Sequence, residues 1–202
     1  MADILDWVSL TLVPGLGLAG QRRLVECCGG PDGVLRSSAQ ERSRVSGIRP
    51  EALLALSDVD AVRLRGENEL ERLAGLGAQA LCLDDHHYPA LLRQINAPPP
   101  VIYIQGPSEL LDTCCLAIVG SRAATSYGHR IASTLARDLA ARGVTIVSGL
   151  ALGIDASAHA GALSVSGRTV AVLGCGLDVV YPQQNHKLYD QIRQSGVLVT
   201  EY

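Results

Sequence analysis

Four short apolar runs in the second half of the chain predict the strands of a parallel sheet. They are residues 116–119, 144–147, 169–173 and 197–200. The runs show little polar alternation, which is typical of strands buried on both faces. A helical pattern precedes each of the later strands, as in residues 183–195. This alternation predicts an α/β fold with a mostly parallel sheet.

The segment between the first two runs predicts an amphipathic helix. We expect Thr125 or Ser126 to cap its start and Gly143 to follow its end. Its apolar residues recur at a spacing of four and predict the face that packs on the sheet. They are Ile131, Leu135 and Leu139.

The first part of the chain predicts a separate helical domain. Four short helices are expected in residues 1–75, and Gly75-Leu76-Gly77 is a plausible boundary. Residues 76–202 would then form the α/β domain, with runs 78–83 and 101–104 extending its sheet.

Three of the predicted strands end in loops of small residues. These loops are Gly120-Ser121-Arg122, Ser148-Gly149-Leu150-Ala151 and Gly174-Cys175-Gly176. In an open α/β sheet the carboxyl ends of the strands form the ligand-binding edge, and helix N-termini there attract anions. Arg122 adds a planar cation suited to phosphate oxygens. One such loop is common, but its repetition favours a phosphate-binding rim.

Several long motifs follow one another in this half of the chain. They are Gly120-Ser121-Arg122 with Ser126-Tyr127-Gly128, Ser148-Gly149-Leu150-Ala151-x-Gly153-Ile154-Asp155 with Ala158-His159, and Leu173-Gly174-x-Gly176-Leu177-Asp178 with Tyr181-Pro182 and Asn185. They resemble the DNA-processing protein A family (DprA, also called Smf), strongly from residue 76 and more loosely before it. The resemblance implies a Rossmann-like α/β fold with a small SAM-like or helix-hairpin-helix-like helical domain.

The same resemblance implies a function. Members of this family bind and protect incoming single-stranded DNA in natural transformation and help load the RecA recombinase, without catalysis, cofactor or metal. The residues predicted to bind DNA are Gly120, Ser121, Arg122, Ser148, Gly149, Leu150, Ala151, Gly174, Gly176 and Lys187. Family members often carry a lysine just after the Tyr-Pro pair, where this chain has Gln183 and Gln184. Either Lys187, the only lysine, takes part of that role or the affinity for phosphate is lower.

Charge and aromatic content limit how DNA could be bound. The formal net charge is −3, with −5 in residues 1–115 and +2 in residues 116–202. Binding must therefore depend on a local groove rather than on a generally basic surface. The chain has no Phe and one Trp, and only Tyr127 and Tyr181 lie near the glycine loops. This favours phosphate contacts over extensive base stacking.

Other features indicate a reduced, cytoplasmic protein. The six cysteines include no C-x-x-C pair, which argues against structural zinc. Cys82 near His86 and His87 is better explained as a buried thiol beside surface histidines. The sequence has no apolar run long enough for a membrane span and no basic signal-peptide region.

Two groups of acids and histidines are candidates for catalytic residues. Asp155 and His159 lie four residues apart at a predicted helix start, where Asp155 is better placed as an N-cap. Residues 84–87 (DDHH) precede a proline, as is common in loops. Structural roles are favoured in both cases.

The glycines of residues 14–17 (PGLG) resemble a helix-hairpin-helix turn whose N–H groups could contact phosphate. Because the segment is acidic and lacks lysine, a packing role without DNA contact is favoured.

Three enzyme classes are alternatives. A nucleotide-processing enzyme of the lysine-decarboxylase-like phosphoribohydrolase type would carry a P-G-G-x-G-T motif, which is not present. A dinucleotide-dependent oxidoreductase would carry a three-glycine fingerprint, and Gly174-x-Gly176 lacks its third glycine. A P-loop ATPase would carry a G-K-[ST] string, which the sequence does not contain.

The sequence stops just after the run at residues 197–200, where the family continues. The predicted α/β domain is therefore expected to be incomplete at its C-terminus. A fragment ending at Tyr202 should be marginally stable, associate through its sheet edge and bind DNA weakly. Homodimerisation is expected for the full-length protein, together with contact to RecA.

Overall fold

The computed structural model describes residues 3–202 and divides the chain after Ile102 into two units. The helices are α1 (Ile4–Thr11), α2 (Leu18–Cys28), α3 (Pro31–Arg36), α4 (Ala39–Ser43), α5 (Pro50–Ala55), α6 (Val59–Gly75), α7 (Ala90–Arg93), α8 (Ser126–Ala140), α9 (Ile154–Leu163) and α10 (His186–Ser195). The strands are β1 (Gln79–Cys82), β2 (Val101–Gln105), β3 (Cys115–Ala117), β4 (Thr145–Ser148), β5 (Thr169–Val172) and β6 (Val197–Thr200). Short 3₁₀ helices lie at Ser108–Asp112 and Gln183–Asn185.

The first unit contains six helices within residues 3–75, rather than the four that the sequence predicts. Helices α4 and α5 have five and six residues, too few to show helical periodicity in the sequence. Local signals start them instead: a capping box between Ser38 and Glu41, and Pro50 at the first helical position. The buried core of this unit comprises Leu10, Val13, Leu16, Leu24, Val34, Leu35, Ala52, Leu56 and Val62.

The predicted boundary at residues 75–77 lies at the end of α6, inside the first unit. Strands β1 and β2 form where the runs 78–83 and 101–104 predict strands. Strand β1 and the first residues of β2 belong to the first unit, and the rest of β2 belongs to the second.

The sheet of the second unit has the strand order β2-β6-β5-β4-β3. Strand β2 is antiparallel to β6, whereas β6, β5, β4 and β3 are successively parallel. The predicted mostly parallel, Rossmann-like sheet is confirmed. Because β3, β4 and β5 are parallel neighbours, their carboxyl ends lie at one edge, and so do the three glycine loops.

Helix α8 buries only part of the face that the sequence predicts, since Leu139 alone of the three predicted residues packs against the core. Thr125 caps it as expected, its Oγ1 accepting the N–H of Gly128 at 3.2 Å. However, Ile131 and Leu135 are each 48% exposed. The buried face is one residue further on and consists of Ala132, Ala136 and Ala140. A Cβ on Gly161 of α9 would lie 2.3 Å from a backbone oxygen of α8, so the two helices are too close for larger side chains.

The prediction that residues 116–119 are buried on both faces is wrong. All three residues of β3 are exposed, as is Val119 at 72%, and in this run only Ile118 is buried. The reason is that β3 is the outermost strand of the sheet order and has a strand neighbour on one side only. The interior strand β4 and all of β6 are mostly or fully buried, as predicted.

Within residues 3–202, no helix combines the length and the hydrophobicity that crossing a bilayer requires.

Candidate nucleic-acid interface

The three glycine loops enclose a cleft of about 250 Å³ at the carboxyl ends of β3, β4 and β5. Its lining residues are Arg122, Gly149, Ala151, Leu152, Leu173, Gly174, Cys175, Tyr181 and Pro182. Each loop contributes at least one of them. Four of the ten predicted DNA-binding residues line the cleft, namely Arg122, Gly149, Ala151 and Gly174.

The first two loops touch at Gly153. Its φ of +83° is a conformation that residues with a side chain rarely adopt. A Cβ there would lie 2.2 Å from the carbonyl oxygen of Ser121 and 2.7 Å from that of Arg122. The next residue, Ile154, donates its N–H to the same Ser121 oxygen at 3.2 Å. This contact fixes the backbone of Arg122 at the mouth of the cleft.

Asp155 also joins the two loops, and its predicted N-cap role is wrong. The N-cap of α9 is Gly153, so Asp155 is the second residue of the helix and is buried. Its carboxylate accepts the N–H of Gly120 at 3.4 Å and that of Gly149 at 3.1 Å. These two N–H groups are therefore already engaged, and an anion in the cleft must find other donors.

Other donors belong to residues that line the cleft. Within residues 3–202, the N–H groups of Ala151 and Gly174 have no hydrogen-bond acceptor. In the same part of the chain the exposed side chain of Arg122 forms no ion pair or hydrogen bond. A free guanidinium and two unpaired N–H groups around one cleft suit a phosphate or carboxylate oxygen.

The 3₁₀ helix that follows the third loop, Gln183–Asn185, is tied to the second loop by Asn185. Its Nδ2 donates to the carbonyl oxygens of Leu150 at 2.8 Å and Ala151 at 3.2 Å. Leu150 has a φ of +56° and is completely buried, so its side chain anchors the second loop in the protein interior. The sequence motif contains Asn185 but gives no hint of this role, since the two residues are 35 positions apart.

Two of the predicted residues carry structural hydrogen bonds. Ser148 is buried and donates its hydroxyl to the carbonyl of Ile118 at 2.6 Å, inside the sheet. Ser121 uses its hydroxyl oxygen to accept the N–H of Ala123 at 3.1 Å. Gly176 and Lys187 are not among the residues lining the cleft. Lys187 is exposed in the first turn of α10, where its contact with DNA stays a prediction.

Sequence reasoning did not assign the apolar part of the lining. Tyr181, joined to Pro182 by a cis peptide bond, is 63% exposed at the cleft. Leu152 and Leu173 add aliphatic surface. A nucleic-acid base can stack on such a tyrosine ring. The second aromatic residue near the loops, Tyr127, is exposed but does not line the cleft.

The remaining acid and histidine pairs have structural partners. Asp84 accepts the indole N–H of Trp7 at 3.2 Å, and Asp85 accepts the N–H of His87 at 2.8 Å. Cys82 is buried, as predicted. Among residues 3–202, no group of three or more His, Cys, Asp and Glu side chains could hold a metal ion.

His159 is held neutral behind the cleft. The ring is completely buried, and its Nδ1 lies 2.7 Å from the hydroxyl of Thr169. Burial lowers the pKa of His159 to about 4, although the carboxylate of Asp155 acts in the opposite direction. An imidazole that is buried and neutral in this way stabilises the fold only while it stays unprotonated.

Acid should therefore destabilise the protein through His159. The folded-state pKa lies below the unfolded value, so the stability is fully present above about pH 6.5 and is lost as the pH falls toward 4. Between pH 7 and pH 5 we expect a loss of about 2 kcal/mol in the free energy of unfolding. Urea titrations across this range should show a shallower pH dependence for His159→Asn than for the wild type. The exposed His186→Asn should keep the wild-type slope, and equal slopes in all three proteins would contradict the assignment.

These features define a Rossmann-like α/β protein with a cleft at the carboxyl edge of its sheet. Residues 79–202 match the family described as DNA recombination-mediator protein A. The chain belongs to this family.

Individual relatives agree with this assignment. Protein Smf from Synechocystis sp. is 46% identical over 128 residues, which cover 61% of this chain and 32% of that protein. The X-ray structure of DNA processing protein A from Streptococcus pneumoniae superposes with a TM-score of 0.82 and 28% identity, over all of this chain and 68% of that chain. The structure describing the single-stranded DNA binding mode of DNA processing protein A from Helicobacter pylori gives a TM-score of 0.56 and 38% identity, over 62% of this chain and 55% of that chain. The matches span 32% to 52% of the length of the first curated relatives.

Proposed function

We propose that this chain binds single-stranded DNA in the cleft at the carboxyl ends of β3, β4 and β5, without catalysing a reaction. In natural transformation it would protect the incoming strand in the cytoplasm and help load the RecA recombinase, with the full-length protein acting as a homodimer. The Rossmann-like relative from Helicobacter pylori, which binds single-stranded DNA, supports the choice of ligand.

The observation that carries the proposal is the free guanidinium of Arg122 beside the unpaired N–H groups of Ala151 and Gly174. Together they offer a phosphate several donors from two loops and one permanent charge. Tyr181 on the same cleft offers a ring on which a base could stack. A narrow cleft with these groups suits a flexible single strand better than a rigid duplex.

Binding without catalysis is supported by the state of the two groups that a general acid–base mechanism would need. His159 is fully buried and cannot reach a ligand in the cleft. Asp155 is buried and engaged with two backbone N–H groups. A general base must come within hydrogen-bond reach of its substrate, which neither group does.

Arg122→Ala should weaken binding of single-stranded DNA by about 1–3 kcal/mol, the scale of a lost charge-assisted contact. Arg122→Lys should restore only part of the affinity, because the planar fork is lost. Fluorescence anisotropy with a labelled oligonucleotide measures both. The log–log salt slope of the wild type should correspond to about two to four phosphates, at ~0.7 per phosphate.

The matched control is Arg130→Ala, which removes the same charge from an exposed position on α8 outside the cleft. It should change the affinity little. If Arg122→Ala and Arg130→Ala behave alike, or if duplex DNA binds as tightly as the single strand, the cleft is not the site.

A further inference from the structure

A second cleft lies in the helical unit and takes no part in the function proposed above. It has a volume of about 660 Å³ and is lined by Arg23 of α2, Arg36 of α3 and Arg44, the residue after α4. A neighbouring cleft of about 270 Å³ shares Arg23 and adds Arg49. We call Arg23, Arg36, Arg44 and Arg49 the arginine surface; all four side chains are exposed.

The net charge of the helical unit does not reveal this concentration of arginines. Residues 22–49 contain six arginines and three acidic residues, whereas the rest of residues 1–75 contains three arginines and eight acidic residues. Averaged over the unit, the two parts give a net negative charge. The positive part contains the whole lining of the larger cleft and contributes Arg23 and Arg49 to the smaller one, which residues 15–20 also line.

The acidic residues near the arginine surface are mostly engaged. Asp32 pairs with Arg36 at 3.2 Å, although the arginine side chain is still 77% exposed. Glu41 accepts the N–H of Ser38 at 2.7 Å and its hydroxyl at 2.8 Å, and these bonds lower the pKa of Glu41. Glu41 also lines the larger cleft, where its charge interacts with that of Arg44 in addition to these bonds.

Three of the four surface arginines form no ion pair within residues 3–202. Arg44 and Arg49 form no ion pair or side-chain hydrogen bond within residues 3–202. Arg23 donates only to the carbonyl oxygen of Gly47, at 3.3 Å. Such guanidinium groups keep most of their donors for an external anion.

A buried cation that does not itself line either cleft lies in the same segment. Arg42 of α4 is only 4% exposed, and its Nη1 donates to the carbonyl oxygen of Val34 at 3.4 Å. Its Nε is buried without a partner, and it forms no ion pair in the part of the chain that the structure describes. A buried charge without a counter-ion is unfavourable, and an anion bound at the surface would offset part of that energy.

We propose that the arginine surface binds the phosphodiester backbone of a nucleic acid, independently of base sequence. Its cations come from several separate segments and span two adjoining open clefts, which suits a chain of phosphates better than one small anion. Gly15 and Gly17 also line the smaller cleft, and the carboxylate of Glu51 lies beside Gly15, so the arginines rather than the glycine N–H groups would hold the phosphates there. This inference stands independently of the function proposed for the sheet edge.

The first test compares variants of the 202-residue chain by fluorescence anisotropy. Replacing Arg23, Arg36 and Arg44 together by Gln should weaken binding of a labelled oligonucleotide about tenfold and lower the salt slope by about 2. The single variant Arg44→Gln should lose about threefold. Its matched control is Arg65→Gln, an exposed arginine of α6 that forms no ion pair within residues 3–202.

Repeating the series in an Arg122→Ala background separates DNA binding at the arginine surface from DNA binding in the cleft at the sheet edge. The arginine-surface effect should persist there, whether or not Arg122→Ala itself lowers the affinity. If Arg44→Gln and the triple variant bind like Arg65→Gln in both backgrounds, the inference is overturned.

The second test uses Cys27, an exposed thiol on the lining of the larger cleft. Its alkylation by N-ethylmaleimide, followed by peptide mass spectrometry, should slow several-fold when oligonucleotide is added. Cys114, exposed in the second unit, is the internal control and should not be protected to the same extent. No protection of Cys27 would overturn the inference. Equal protection by inorganic phosphate alone would show a small-anion site and overturn the nucleic-acid assignment.

Discussion

Gly153→Ala is expected to destabilise the fold by about 3–5 kcal/mol and to abolish binding in the cleft. The added Cβ would lie 2.2 Å from the carbonyl oxygen of Ser121, a backbone atom that cannot rotate away. The backbone conformation adds strain of its own, since φ is +83°. Relieving the overlap would push the first loop, with Arg122, away from the second. Urea unfolding and DNA anisotropy measure the two consequences separately.

The control for this prediction is Gly143→Ala. Gly143 has a similar φ of +85°, but a Cβ there would meet nothing within 4 Å. This variant should therefore show the backbone strain alone, about 1 kcal/mol. If Gly153→Ala is no more destabilising than Gly143→Ala, the close contact between the two loops does not constrain the fold.

The sequence predicts strands best where both neighbours in the sheet are also strands. The run at 144–147 lies in the interior strand β4 and is largely buried, as its apolar composition requires. The equally apolar run at 116–119 belongs to the outermost strand and is mostly exposed. Composition shows that a strand can be buried, whereas strand order decides whether it is. Strand order depends on pairing between distant residues, which a hydrophobic pattern does not record.

Helix α8 shows that the hydrophobic pattern also fails to identify which face of a helix is buried. Large apolar residues at a spacing of four predict the packed side, but Ile131 and Leu135 are half exposed. The packed side is a row of alanines. The facing helix has Gly161 at the contact, and the absence of a side chain there allows the two backbones to lie close together. Close helix contacts favour small residues, whose burial a hydrophobicity pattern understates.

The position of the cleft could be predicted, but not which donors are free in it. Glycine loops after neighbouring parallel strands indicate the edge of the sheet. The sequence predicts that Gly149 binds DNA, but its N–H donates to the carboxylate of Asp155. That assignment depends on where α9 begins, and its N-cap is Gly153 rather than Asp155. A shift of two residues at a helix start thus turns a cap into a bridge between loops.

Asp155→Ala is expected to lower the free energy of unfolding by about 3–4 kcal/mol, because two charge-assisted hydrogen bonds are lost at once. The N–H groups of Gly120 and Gly149 would lose their acceptor, and the first two loops would be held mainly by the contact at Gly153. Asp138→Ala is the control, since Asp138 is half exposed and pairs with Arg137 on the surface of α8. It should cost less than about 1 kcal/mol.

The effect of Asp155 on DNA binding has two opposing parts, and Asp155→Asn separates them. Removing the negative charge and releasing the N–H of Gly149 should favour a phosphate in the cleft, by up to about 1 kcal/mol for a charge at this range. Loosening the loops should disfavour it, because Arg122 is then no longer held at the mouth and its ordering must accompany binding. We expect the second part to prevail, so that Asp155→Asn binds single-stranded DNA more weakly than the wild type at every salt concentration. Tighter binding by the asparagine variant, measured by anisotropy, would show that the carboxylate restrains the cleft electrostatically rather than positioning its loops.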